Sequence, residues 1–265
     1  MGKIKLLIKY LVYVFMRKGA AGHGIHSPFV FKLNREVLNN RSKYGEYELI
    51  RKFRKKLLTR DEIADVTDRG AGSVIFSSGK RKVRDMVKYS SSSLKMGKLL
   101  FRLARHLDAG TVIELGTSVG FGTFCLALGA VNGKVFSLEA CPAQLHIARE
   151  ELQKAGTGNV ELTEGEFEKD LPLLLEQIDR PDLVYFDGDH RKEAVLWQAR
   201  QCLGKVSPGT VFVIADINWS PGMSEAWKEL CREPAVSLSI DLFHCGLLFF
   251  RKGMARQHFV LGFSG

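Results

Sequence analysis

The sequence lacks paired-cysteine motifs, internal repeats and low-complexity tracts. Its five cysteines are odd in number and never form a Cys-x-x-Cys pair, which argues against a disulfide framework or a zinc site and favours a reducing compartment, the cytoplasm. A membrane-spanning run is missing from the first helix candidate, Lys3–Lys18, because its uninterrupted apolar stretch, Tyr10–Met16, is too short to cross a bilayer. We expect an amphipathic helix that packs on the protein body, with binding to a membrane surface as the alternative.

Negative charge is scarce in the first part of the chain. Residues 1–107 hold 25 of the 39 Lys and Arg but 8 of the 29 Asp and Glu, so this part carries +17 and the remainder −7. Such asymmetry indicates a surface for nucleic acid, anionic lipid or an acidic partner, or else ordinary solvated helices. The periodicity predicts helices and no long strand in this part, with a loop at 69–93. The helix candidates are Lys3–Lys18, Pro28–Asn39, Tyr44–Leu58 and Leu94–Leu107.

From Thr111 onwards, short apolar runs alternate with helical periodicity, which is typical of βαβ units. Two further strand runs, Val236–Leu242 and Gly246–Arg251, form a hairpin. We therefore predict an α/β fold with a Rossmann-like, doubly wound, seven-stranded and mainly parallel sheet that ends in an antiparallel hairpin. Residues 1–107 would form a basic helical N-terminal extension, and 108–265 the ligand-binding domain. The predicted parallel strands are Thr111–Leu115, Lys134–Leu138, Val160–Thr163, Leu183–Phe186 and Val211–Ala215.

A glycine turn follows the first of these strands. Gly116, Gly120 and Gly122 have the spacing GxxxGxG, which does not fit the GxGxxG of nicotinamide and flavin binders. Glycines let the backbone approach a ligand closely, although a tight turn between a strand and a helix needs them too. Glu114, before the turn, suits a ligand with an ammonium group. We expect a side chain at Gly116 to block the ligand and leave the fold intact.

Acidic residues follow the next two strands. Glu139 ends the second strand, where a carboxylate can accept hydrogen bonds from both hydroxyls of a ribose. Gly165 and Glu166 follow the third strand, where an adenine edge would lie. An acidic residue at a strand end is by itself more often a surface residue. The spacing of Glu139 from the glycine turn favours ligand binding.

Polar side chains also follow the fourth and fifth strands, at the carboxyl edge where open α/β sheets bind ligands. Asp187 and His190 follow the fourth strand, and Asp216 the fifth. Histidine is the side chain best suited to general-base catalysis at physiological pH, and His190 is the candidate base, although a helix-start histidine bonded to backbone has the same pattern. Residues 219–227 carry Trp219 and Trp227, which line an acceptor pocket or simply pack the final helix.

These motifs resemble those of class I S-adenosylmethionine-dependent methyltransferases, above all the small-molecule O-methyltransferases of the catechol type. The resemblance covers about residues 94–252, and His23–Phe31 is similar to a run in uncharacterised bacterial methyltransferases. It implies methyl transfer from S-adenosylmethionine to a small-molecule hydroxyl, with Asp187, His190 and Asp216 as catalytic residues. The implied cofactor-binding residues are Glu114, Gly116, Thr117, Ser118, Gly120, Gly122, Glu139, Ala140, Gly165, Glu166 and Asp187.

The resemblance also implies a divalent cation, magnesium, held by Asp187, Asp216 and an Asn. Ile217 stands where that Asn is expected, and Asn218 comes one residue late, so two of three ligand positions match. One alternative is a nucleic-acid methyltransferase that uses the basic extension, although an Asn/Asp-Pro-Pro-aromatic motif is missing after the fourth strand. The others are a non-catalytic binding or membrane-surface protein on the same fold, and a nicotinamide oxidoreductase.

Overall fold

The computed structural model describes residues 3–17, 25–66, 79–89 and 91–264, and the side chains of the first helix from residue 6 onwards. His23 and Gly24, together with residues 69–78 and Ser90 of the expected loop at 69–93, lie outside these ranges. A central sheet separates two layers of helices, and one apolar core lies on each face of the sheet. No helix in the described ranges is long and apolar enough to span a bilayer.

The four predicted N-terminal helices are present. Ser27 and Ser93 cap the second and the last of them by accepting a hydrogen bond from a backbone N–H, as N-cap serines do. The second helix ends earlier than predicted, because the chain continues as a π-helical segment, Asn34–Leu38. In residues 3–106 the helices are α1 (Lys3–Met16), α2 (Pro28–Leu33), α3 (Glu46–Leu58), α4 (Val83–Tyr89) and α5 (Leu94–His106).

Two short strands and helix α4 differ from the prediction of a strand-free extension and a loop at 69–93. Strands β1 (Ile63–Asp65) and β2 (Lys80–Lys82) form an antiparallel pair held by backbone bonds. Three residues are too few for an apolar alternation to show in the sequence. Helix α4 does have a signal, since Val83, Met86 and Val87 bury one face at helical spacing.

The central sheet has eight strands, in the order β10-β8-β9-β7-β6-β3-β4-β5. Strands β3 to β7 are parallel to one another, and β9 is antiparallel to both β7 and β8. The seven-stranded prediction was wrong by one, because β10 adds to β8 at the edge with Phe259 as its one buried residue. The strands are β3 (Thr111–Leu115), β4 (Lys134–Glu139), β5 (Val160–Glu164), β6 (Leu183–Phe186), β7 (Val211–Ala215), β8 (Leu238–Asp241), β9 (Cys245–Phe249) and β10 (Gln257–Val260).

Five helices connect these strands and cover both faces. The core on one face joins α6 and α7 with the N-terminal helices, and the core on the other face is closed by α8, α9 and α10. The N-terminal layer therefore packs directly on the sheet, and the division of the chain at 107/108 stays a prediction. The helices are α6 (Phe121–Gly129), α7 (Pro142–Lys154), α8 (Phe167–Gln177), α9 (Lys192–Leu203) and α10 (Pro221–Leu230).

Arg102 on α5 fastens this N-terminal layer. Its side chain is 2% exposed, and its guanidinium donates to Val37 O at 2.6 Å, Ser264 O at 2.7 Å and Tyr47 Oη at 3.0 Å. Buried carbonyl groups without a donor cost free energy, so one charged side chain satisfies three segments at once.

The close approach of two turns fixes the edge of the sheet where β3 and β6 end. Gly116 follows β3 with φ +105°, and a Cβ on it would lie 2.5 Å from Gly188 Cα and 2.6 Å from Gly188 N. Gly188 is equally confined, because a Cβ there would lie 2.4 Å from the Phe167 ring. Glycine at 116 is thus required by the fold, whatever it does for a ligand.

We expect Arg102→Met to lower the free energy of unfolding by about 3 kcal/mol or more, since three charged hydrogen bonds are lost and the Val37 carbonyl stays buried without its donor. Urea denaturation measures this loss. Arg105→Met on the same helix is the control, because the Arg105 side chain is half exposed and pairs with Glu46 at the surface. Equal stability of the two variants would contradict the role assigned to Arg102.

We expect Gly116→Ala to lower the free energy of unfolding by about 3 kcal/mol, because the left-handed backbone and the contact with Gly188 both oppose a side chain. The control is Gly158→Ala, where an added Cβ has no atom within 4 Å. Thermal unfolding of both variants shows whether the fold or only the ligand requires glycine at position 116. A Gly116→Ala protein that is as stable as the control and fails only in ligand binding would restore the sequence-based expectation.

Candidate cofactor and catalytic site

The glycine turn after β3 is braced by a carboxylate from the next strand. Glu139, the last residue of β4, accepts hydrogen bonds from Ser118 N at 2.8 Å and Cys141 N at 2.9 Å. Ser118 and Gly120 have positive φ angles, and Gly120 is the N-cap residue of α6. Burial raises the pKa of Glu139, and the backbone donors counteract that rise. The carboxylate holds the turn in shape and keeps further lone pairs for a ligand.

Glu114 lies beneath the same turn and is fully buried. Its Oε2 accepts from Thr123 Oγ1 at 2.5 Å and Ser137 Oγ at 2.6 Å, which ties β3 to α6 and β4. Its Oε1 has no hydrogen-bond partner among the described residues. Burial raises the pKa of Glu114 to about 8. A Cβ on Gly122 would lie 2.6 Å from Oε1, so this glycine leaves room for the carboxyl group.

The remaining predicted cofactor residues lie along the same strand ends. Thr117 Oγ1 is 2.5 Å from Ser137 Oγ, so Thr117 joins the buried hydroxyls around Glu114. Gly165 N donates to Glu139 O at 3.0 Å. Glu166 is the N-cap residue of α8, and its side chain is 44% exposed. Ala140 follows Glu139 directly. The carboxyl ends of β3, β4 and β5, with the turns that follow them, thereby form one continuous surface, which we call the ledge.

Asp187, His190 and Asp216 come together beside this ledge. His190 Nε2 is 3.9 Å from Asp187 Oδ1 and 3.7 Å from Asp216 Oδ2. Burial raises the pKa of Asp187 to about 7; the neighbouring His190 lowers it and Asp216 raises it further. We call these three residues the Asp–His–Asp group. The parallel order of β3, β6 and β7 is what puts it next to the glycine turn.

Two residues of the site had not been singled out in the sequence. Tyr185 Oη donates to Asp187 Oδ2 at 2.6 Å, and Ser92 Oγ donates to the same oxygen at 3.2 Å. Tyr185 lies inside an apolar strand and therefore reads as a core residue. Ser92 is one of several consecutive serines, and only its place before α5 brings it to the sheet edge.

Asn218, the third expected metal ligand, makes contacts outside the Asp–His–Asp group. Its Nδ2 donates to Phe243 O at 2.9 Å, and its Oδ1 is 3.5 Å from Lys9 Nζ on α1. Ile217 is fully buried in the core beneath. The group that could hold a cation is therefore two carboxylates and an imidazole, whose ligand atoms lie within 4.8 Å of one another.

The two tryptophans of the segment 219–227, which follows β7, differ in their surroundings. Trp227 is 5% exposed and packs against Gly246 of β9, where a Cβ would lie 2.4 Å from its ring. Trp219 is 43% exposed and follows Asp216 closely in the chain. Trp227 therefore packs the final helix against the sheet. Of the two tryptophans, Trp219 is the one that can line an acceptor pocket.

Part of the chain is similar to known proteins. The methyltransferase-domain family matches residues 113–217. The catechol O-methyltransferase of Mycobacterium tuberculosis is 38% identical over 113 residues, which cover 41% of this chain and 50% of that protein. That of Niastella koreensis is 31% identical over 130 residues, covering 48% and 58%. The chain thus spans little more than half the length of these curated relatives.

The solved structure of an O-methyltransferase from Bacillus cereus in complex with SAH has the same fold. Its TM-score is 0.52 at 20% identity, and the match covers 80% of this chain and 93% of that one. Residues 113–217 thus match the methyltransferase-domain family, and this part of the chain is similar to class I S-adenosylmethionine-dependent O-methyltransferases.

Proposed function

We propose that the protein transfers a methyl group from S-adenosylmethionine to a hydroxyl oxygen of a small molecule. The observation that carries the proposal is the Asp–His–Asp group beside the glycine turn, with His190 Nε2 within 4 Å of both carboxylates. The two catechol O-methyltransferase relatives and the SAH complex of the Bacillus cereus structure support it. Their chemistry needs an acceptor held in line and a group that takes its proton.

The residues of the ledge suit this cofactor. The Glu139 carboxylate has spare lone pairs for ribose hydroxyls. Glu114 has a buried oxygen that accepts from no donor among the described residues, which suits a positively charged ligand. The cofactor supplies an activated methyl group. The proposed cofactor-binding residues are Glu114, Gly116, Thr117, Ser118, Gly120, Gly122, Glu139, Ala140, Gly165, Glu166 and Asp187.

His190 is the proposed general base, and its Nε2 takes the proton of the acceptor hydroxyl. Asp187 and Asp216 flank this atom and stabilise the imidazolium that results. Tyr185 and Ser92 hold Asp187 by donating to its Oδ2, which leaves Oδ1 directed to His190. The step needs no group beyond these side chains.

Magnesium bound by Asp187, Asp216 and Asn218 is a second candidate for activating the hydroxyl. Asn218 Oδ1 faces the Lys9 ammonium, and an imidazole stands between the carboxylates, whereas magnesium prefers oxygen ligands in octahedral order. The side chains therefore fit magnesium poorly, and we derive no step through it.

The N-terminal extension also borders the site. The basic extension 1–107 contributes Ser92 to the site and Lys9 to its rim, which supports the proposal that it caps the domain 108–265. All five cysteines are free thiols, in keeping with the proposal that the protein works in the cytoplasm. Transfer to nucleic acid stays an alternative that the basic charge alone favours.

We expect Glu139→Ala to weaken the binding of S-adenosylhomocysteine by about tenfold or more, because a charged hydrogen-bond acceptor is worth about 1.5 to 3 kcal/mol. Isothermal calorimetry measures the change. Glu164→Ala is the matched control, since Glu164 ends the adjacent strand opposite Glu139 and is exposed. Unchanged affinity in a folded Glu139→Ala protein would refute the cofactor assignment.

We expect His190→Ala to lower the methylation rate of catechol, the probe acceptor, by about 10²- to 10⁴-fold while cofactor affinity stays the same. The wild-type rate should be unaffected by a chelator. It should also rise as the pH passes through about 7, where Asp187 loses its proton and can pair with the imidazolium. The exposed His146, changed to Ala, is the control. Loss of activity in chelator that magnesium restores would favour the metal route instead.

A further inference from the structure

Helix α1 is fastened to the protein through one of its faces. Lys9 Nζ donates to Ser224 Oγ at 2.7 Å, and Tyr13 Oη donates to Leu261 O at 2.7 Å. The Tyr13 ring lies 5.2 Å from the Phe243 ring. These contacts use the polar atoms of the helix and leave most of its aliphatic side chains unused.

The other side of the helix is apolar and exposed. Its side chains are between 50% and 92% exposed, with Phe15 the most exposed. They follow one another at spacings of three and four residues, so they form one continuous surface along the helix. Scattered apolar residues are common on protein surfaces, but a contiguous patch of this kind indicates an interaction site. This apolar α1 face consists of Leu7, Ile8, Leu11, Val12, Phe15 and Met16.

The charged residues of α1 and of its neighbours in the sequence have a single sign. The first 35 residues contain seven Lys and Arg and no Asp or Glu. Lys3 and Lys5 belong to the first turns of α1, and Arg17 follows its last turn. The helix therefore has basic residues in the sequence at both of its ends, which is typical of helices that lie in the interface of an anionic membrane.

We propose that the apolar α1 face docks on the surface of an anionic phospholipid bilayer, with the helix lying in the plane of the interface. The 14 residues of α1 extend about 21 Å, too little to cross the hydrocarbon layer. A second copy of this chain is the less suitable occupant. Two such helices packed face to face would bring basic ends together without an acidic residue to neutralise them.

The docked helix is continuous with the site. Lys9 contacts Asn218, which lies between Asp216 and α10, and Ser224, which lies on α10. Docking through α1 therefore holds the carboxyl edge of the sheet beside the lipid surface. Docking on a membrane does not require methyl transfer, because it depends only on the surface of helix α1.

Vesicle flotation of the full chain tests the proposal. We expect binding to vesicles of phosphatidylcholine mixed with phosphatidylglycerol, and binding weaker by about fivefold for each basic residue engaged when phosphatidylcholine is used alone. Leu11→Ser with Phe15→Ser should weaken binding at least about tenfold. Both positions are exposed, so thermal unfolding should not change. Val131→Ser with Leu173→Ser, which removes two similarly exposed apolar residues elsewhere, should bind as the wild type does.

Three results would overturn the proposal. The first is a wild-type chain that does not float with the mixed vesicles. The second is binding that the Leu11 and Phe15 changes leave intact, which would mean that basic charge alone attracts the protein, as it would to RNA. The third is a wild-type dimer in light scattering that those two changes convert to a monomer without any vesicle binding, because the face would then belong to a second copy.

Discussion

The architecture of the site depends on two turns that touch. The turns after β3 and β6 approach so closely that a Cβ on Gly116 would overlap the backbone of Gly188, while a Cβ on Gly188 would overlap the Phe167 ring of α8. Backbone contact at this distance leaves the two strand ends little freedom, so Asp187, next to Gly188, has a fixed place beside the glycine turn. Glu139 at the end of β4 is fixed to the same turn, because its carboxylate accepts hydrogen bonds from the backbone amides of Ser118 and Cys141. Side-chain chemistry at this edge is thus positioned by main-chain packing.

Ionisation at this edge opposes folding. Burial raises the pKa of Glu114 to about 8 and that of Asp187 to about 7, far above the usual values for carboxyl groups. Because the folded state holds these protons more tightly than the unfolded chain does, the two groups destabilise the fold as the pH rises through those values. A positively charged ligand near Glu114 would offset that cost. Because ionised carboxyl groups at this edge lower the stability of the fold, the edge is suited to a cofactor that carries a positive charge.

Local patterns predicted the centre of the fold and missed its edges. The bounds of β3, β6 and β7 were predicted to the residue, because buried parallel strands are short apolar runs between polar turns. Parallel topology alone also predicted that Asp187 and Asp216 would meet. The contact of Ser92 with Asp187 joins residues 95 apart and leaves no local pattern. The Lys9 contact with Asn218 is equally non-local, and strand β10 buries too little to show.

Residues 261–264 close the N-terminal layer, and this has a consequence for the order of folding. Leu261 O accepts from Tyr13, Ser264 N donates to Leu38 O, and Ser264 O accepts from Arg102. On the ribosome, the helices made first must wait for a segment made more than 150 residues later before these carbonyl groups and donors are paired. During that time the guanidinium of Arg102 has no complete set of acceptors. A nascent chain that stalls before β10 would thus expose the apolar faces of its earliest helices to chaperones.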